Sequence, residues 1–168
     1  MPKRNRHNAG FSLVEVLVTL AVLGILTGIA IPSVLAWMPG HYIKESARDM
    51  KGAMVRARSH AINKGVEHRV LFDLKTNTYQ VDQGDLMTNS TNWTTLIGPH
   101  PLASGISINR SSAALEGAGT QPFVRFSVKG SVVTNVDTLA FGLINNHNDT
   151  YDVSVQRRTG HVTLTKGG

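Results

Sequence analysis

From Phe11 to Met38 the chain reads FSLVEVLVTLAVLGILTGIAIPSVLAWM, 28 residues with one charge, Glu15. At about 1.5 Å per residue, a helix of this length can cross a bilayer core of roughly 30 Å. Few folds can absorb such a segment. A buried core helix seldom runs so far with one charged side chain. A secretory signal peptide is a nearer rival, with Val34-Leu35-Ala36 as a small-residue cleavage site behind Pro32. The run is longer than the apolar region of about 7–15 residues in such peptides, and it carries a carboxylate near its start. A membrane-spanning helix fits the run better than either.

Charge supports that reading and gives it a direction. Lys3, Arg4 and Arg6, with no acid among residues 1–10, supply half of the formal net charge of +6. Cations ahead of an apolar helix hold the N-terminus in the cytoplasm. A basic chain also suggests an anionic partner such as nucleic acid or lipid. Without residues 1–10, however, 14 of the 17 basic side chains remain against 11 acidic ones. Residues 41–65, which hold six basic and two acidic side chains, account for that whole small excess, and the rest of the chain beyond residue 10 is slightly acidic.

Glu15 is the informative residue. An ionised carboxylate at membrane depth costs several kcal/mol unless it reaches the interface or meets a cation. The helix contains no cation, so the partner should come from another molecule. Gly10-Phe11-Ser12-Leu13-Val14-Glu15, followed by an apolar helix and Pro32, resembles the processing signal of type IV pilins and type II secretion pseudopilins. The resemblance implies that a prepilin peptidase cuts after Gly10 and methylates Phe11, the first mature residue. It also implies that Glu15 meets the N-terminal amine of a neighbouring subunit during filament assembly. Such pairing would offset the burden of a lone charge.

Gly24, Gly28 and Pro32 interrupt the apolar run, and Pro39-Gly40 interrupt its continuation. Proline removes a helical hydrogen bond and kinks or ends a helix. Glycines four apart allow close helix packing in membranes, or are merely tolerated there. Similar proteins lose helicity here on assembly, and these residues would permit it. Beyond the break, Ile43, Ala47, Met50, Met54, Ala57 and Ala61 alternate at spacings of four and three. That spacing predicts a helix from about Tyr42 to Asn63, closed by Gly65, with one apolar face of small residues suited to a sheet. Lys44, Arg48 and Lys51 beside the stripe read as a solvated flank, or as a basic surface for DNA or lipid headgroups.

From Gly65 onward the pattern is β-rich. Val66 to Asp73 and Thr78 to Asp82 flank a turn and read as a hairpin, whereas Gly84 to Pro101 reads as a surface loop. Leu102 to Ile108, Phe123 to Val128, Asp137 to Ile144, Tyr151 to Arg157 and His161 to Thr165 read as further strands. The Ser-, Ala- and Gly-rich stretch from Ser111 to Thr120 separates the first two of these. The fold class is α+β: a long N-terminal helix, half transmembrane and half amphipathic, packed on an antiparallel β-rich domain. The expected organisation is a cleaved leader over 1–10, an assembly helix over 11–38, its amphipathic half over 39–65, and a periplasmic β domain over 66–168.

The resemblance narrows along Ala57-Arg58-Ser59-His60-Ala61-Ile62, Gly65 and Val70-Leu71-Phe72, and again at the terminal hairpin Val153-Ser154-Val155 and Thr159-Gly160-His161-Val162-Thr163-Leu164. These stretches resemble the minor pseudopilins of the general secretion protein H and fimbrial protein T subgroup. Some members of that subgroup are DNA receptors with a Gly-Arg-x-Arg type motif in the last hairpin. Here Gly160-His161-Val162-Thr163 lacks both arginines, although Arg157, Arg158 and Lys166 could form a patch. Phosphate binding needs several cations on one face, and stacking aromatics are sparse.

Catalytic patterns are missing. Without cysteine there is no disulfide, thiolate metal site or thiol nucleophile. The histidines have no short zinc spacing, His60 and His68 fall on different elements, and His147-Asn148-Asp149 reads as an Asn-rich turn. Neither a phosphate-binding loop nor a nucleophile elbow occurs. The sequence predicts no enzyme, cofactor or metal. It predicts a single-pass inner-membrane subunit of a type IV pilus or a secretion pseudopilus. The expected partners are prepilin peptidase, other pilin subunits, inner-membrane lipid and, for a secretion system, exported cargo.

Overall fold

The computed structural model describes residues 11–111 and 121–167. The chain divides into two compact units, one ending at Met38 and the other starting at Pro39. One helix, α1 (Leu13–Lys64, 52 residues), supplies residues to both. It does not end at Pro32 or at Pro39-Gly40, which corrects the expected break. A proline deletes one rung of the ladder, and the turns on either side remain bonded.

In the first unit, Leu13–Ile31 has a mean hydropathy of 2.4, and none of its side chains is buried. Its two threonines bond within the helix, Thr19 Oγ1 to the carbonyl of Val16 and Thr27 Oγ1 to that of Leu23. A surface of this kind suits lipid, where no water is available to satisfy a hydroxyl.

In the second unit, all six residues of the predicted stripe are fully buried, with Ala53 added to them. Lys44 and Arg48 are exposed and Lys51 is half-buried, as a solvated flank should be. Gly65, with φ +67, caps the helix, its N–H donating to the carbonyl of Ala61. Among the described residues eight strands follow: β1 (His68–Asp73), β2 (Thr78–Gly84), β3 (Trp93–Pro101), β4 (Ile106–Ser111), β5 (Phe123–Phe126), β6 (Thr138–Asn145), β7 (Thr150–Gln156) and β8 (Val162–Lys166). They form two antiparallel sheets, ordered β3-β2-β1-β5 and β4-β6-β7-β8. Alternation sends Val70 and Phe72 inward from the first sheet, and Leu139, Phe141 and Leu143 inward from the second. The Phe72 and Phe141 rings meet at 4.7 Å and join the two sheets in one core with the helix stripe.

Gly84 to Pro101, expected as a loop, contains β3. It is a mostly exposed edge strand with Pro99 and Pro101, residues a central strand would not tolerate. The strand predicted at Leu102 starts instead at Ile106, because Leu102 donates its N–H to the carbonyl of Asn77 and Ala103 donates its own to Ser46 Oγ on α1. Most of Ser111 to Thr120 lies outside the described residues.

One buried group makes this core sensitive to pH. His68 is fully buried, stacked on His60 with ring centroids 5.7 Å apart. Its Nδ1 lies 3.0 Å from the carbonyl of Val66, and its Nε2 has no partner among the described residues. Burial lowers its pKa below the ordinary 6.5; the Val66 carbonyl opposes the shift, and His60 and Lys64 reinforce it. The native state therefore takes up a proton at this ring only at lower pH than the unfolded chain, which does so as pH falls through about 6.5. Stability should drop between pH 7.5 and pH 5, read as a falling urea midpoint. His68→Leu should flatten that dependence, and an equally steep profile in the variant would assign it elsewhere.

Candidate processing and assembly site

The segment around the predicted cleavage point is built by the start of α1. Gly10 lies outside the described residues. Phe11 and Ser12 precede the helix, and Phe11 is 83% exposed. Ser12 is the N-cap: its Oγ accepts the N–H of Val14 at 3.3 Å, and its carbonyl accepts the N–H of Val16 at 3.2 Å. Glu15 falls three residues after this cap, in the first turn, where the partial positive charge of the helix favours an acid. Sequence reasoning singled out Glu15 and passed over Ser12. The signal was present, since Ser12-x-x-Glu15 has the spacing of a capping box.

Glu15 makes no ion pair among the described residues. The threonines of the apolar run, by contrast, are satisfied within their own helix. The arrangement offers an exposed Phe11, a capped helix start, and one carboxylate a turn further on.

Buried carboxylates elsewhere are committed to structure. Asp82 accepts bonds from Arg69 Nε at 2.9 Å, Gln80 Nε2 at 2.8 Å and Thr95 Oγ1 at 3.1 Å. Arg69 in turn lies over the Trp93 ring at 4.3 Å. Glu67 accepts the N–H of Ser90 at 2.8 Å, with Arg125 Nη1 at 3.9 Å. Among the described residues no cluster of three or more His, Asp or Glu could hold a metal.

The basic residues of the terminal hairpin do not come together. Arg157 and Arg158 are exposed in the turn after β7, beside a groove that Ser131 and Thr134 also line. Lys166 pairs with Tyr151 at the other end of β8, the length of the hairpin away. Three cations close in sequence thus become a pair and a separate single charge.

Residues 5–31 match the prokaryotic N-terminal methylation motif. No curated protein matches the chain in sequence. The fold is similar to that of the minor pseudopilin EpsH from the type II secretion system of Vibrio cholerae, with a TM-score of 0.56 and 17% identity. That likeness covers 75% of this chain and 98% of EpsH. A second structure of EpsH matches with a TM-score of 0.55 and 16% identity, over 76% of this chain and 96% of that one. The type IV minor pilin FimU of Pseudomonas aeruginosa matches with a TM-score of 0.58 and 12% identity, over 77% of this chain and 92% of FimU. The chain carries a segment matching the prokaryotic N-terminal methylation motif and has the fold of minor pseudopilins and minor pilins.

Proposed function

We propose that this chain is a minor pilin or pseudopilin, a non-catalytic subunit for assembly of a type IV pilus or a type II secretion pseudopilus. The observation that carries the proposal is the methylation motif over the unburied, 19-residue apolar stretch at the start of α1, in a chain with a pilin-like fold. Lys3, Arg4 and Arg6 hold the N-terminus in the cytoplasm and place the β-rich domain in the periplasm. Prepilin peptidase cuts between Gly10 and Phe11 and methylates the Phe11 amine. The apolar helix stores the processed subunit in the inner membrane, and Glu15 pairs with the N-terminal amine of a neighbouring subunit as the filament grows. The β-rich domain then contacts other subunits or secreted cargo.

Mass spectrometry of the protein purified from membranes tests the first step. The mature N-terminus should be N-methylated Phe11. A chain starting at Trp37 would reveal a secretory signal peptide and overturn the proposal. Gly10→Val should leave the full-length precursor in the membrane, because the peptidase must fit the residue on the leader side of the bond.

A further inference from the structure

Asn145, the last residue of β6, uses every hydrogen-bonding position of its side chain. Its Oδ1 accepts the N–H groups of His147 and Asp149, each at 2.9 Å. Its Nδ2 donates to Asp149 Oδ2 at 2.9 Å and, across 106 residues of sequence, to the carbonyl of Pro39 at 3.3 Å. The partners fix the amide's orientation, since turning it over would set N–H against N–H and oxygen against oxygen. The residue itself is only 7% exposed, while its bonds to Pro39, His147 and Asp149 are partly buried. An Asp here would lack both donors, and a Leu of similar shape would lack all four groups.

The carbonyl that Asn145 holds lies at a weak point of α1. Pro39 has no N–H to offer the carbonyl of Leu35, so one rung of the helical ladder is missing there. Just beyond it the domain grips the helix again: Ile43 is fully buried, and Ser46 Oγ accepts the N–H of Ala103 at 3.2 Å. The chain divides into its two compact units between Met38 and Pro39.

We infer that Asn145 is the positioning residue that fixes Pro39 as the limit of the domain's hold on α1. From Pro39 onward the helix belongs mechanically to the domain. The inference rests on this contact and not on which machine the subunit serves.

Hydrogen exchange on the full chain in detergent micelles, read by mass spectrometry, tests it. In the unmodified protein, amides of residues 40–46 should exchange on the order of tenfold more slowly than those of residues 33–38. Asn145→Asp keeps an acceptor for the His147 and Asp149 N–H groups and removes both donors, the one to Pro39 and the one to Asp149 Oδ2. Amides of residues 40–44 should then exchange on the order of tenfold faster, while protection from Met50 to Ala61 is retained. Unchanged exchange over residues 40–44 would overturn the inference. An equal rise through the helix and both sheets would overturn it too, by making Asn145 a general stabiliser of the core. Should the variant not fold, the unmodified protein still decides: equal protection on the two sides of Pro39 refutes the assignment.

Discussion

A Glu15→Ala subunit is expected to be cut after Gly10 and to accumulate in the membrane, yet to fall on the order of tenfold or more in sheared filaments. Three observations lead there. Glu15 sits in the first turn of α1, five positions into the chain that cleavage would leave. Thr19 and Thr27 bond within their own helix, whereas the Glu15 carboxylate makes no ion pair among the described residues. Cleavage before Phe11 would expose an α-amine, which is protonated at neutral pH. Removing the carboxylate makes residence in lipid easier, so the variant should persist in the membrane. Loss of an acid from the first helical turn costs about 0.3–1 kcal/mol, too little to explain loss from the filament. Glu15→Gln separates charge from shape and should behave like the Ala variant. Incorporation of both variants at the unmodified level would end the docking role.

How well the sequence could be read differed from element to element, for physical reasons. The stripe from Ile43 to Ala61 was legible because a helix packed on one side repeats its apolar contacts with a period close to 3.6 residues, and every predicted member is buried. The strands β6 and β7 were legible because alternate residues enter the core. β3 was not: an exposed edge strand has no apolar period to display, and Pro99 and Pro101 look like turn residues until the neighbouring strand is known. Lys166 illustrates a different gap. It is eight positions from Arg158 in sequence, but an extended strand carries it away along the sheet, and sequence proximity does not measure that distance. At the start of α1, Phe11 and Glu15 draw attention because a charge and a motif stand out against an apolar run. Asn145 does not, since its partner at Pro39 is 106 residues away.

Gly160→Ala is expected to destabilise the domain by about 3 kcal/mol, far more than the same change at Gly65. Both glycines have left-handed backbones, with φ +62 and φ +67, so a Cβ strains either position by about 1–2 kcal/mol. Their surroundings differ. Nothing lies within 4 Å of a Cβ built on Gly65. A Cβ on Gly160 would collide with the carbonyl oxygen of Gly130 and lie 2.8 Å from Arg58 Nε. That carbonyl accepts the Arg58 Nε–H at 3.0 Å, so relieving the collision would disturb the bond tying α1 to the turn at Ser127–Ser131. The Gly160 N–H also closes the β7–β8 turn on the carbonyl of Gln156 at 2.8 Å, which limits how far the backbone can retreat. Three segments distant in sequence therefore meet at a point with no room for a methyl group. The comparison is made by urea unfolding of the full chain in mild detergent, followed by the fluorescence of Trp93, whose ring packs against Arg69. Gly65→Ala should cost about 1 kcal/mol or less, because the lower entropy of the unfolded chain offsets part of the strain. Equal losses for the two variants would show that backbone conformation alone sets the need for glycine, and that the junction of Arg58, Gly130 and Gly160 tolerates a side chain.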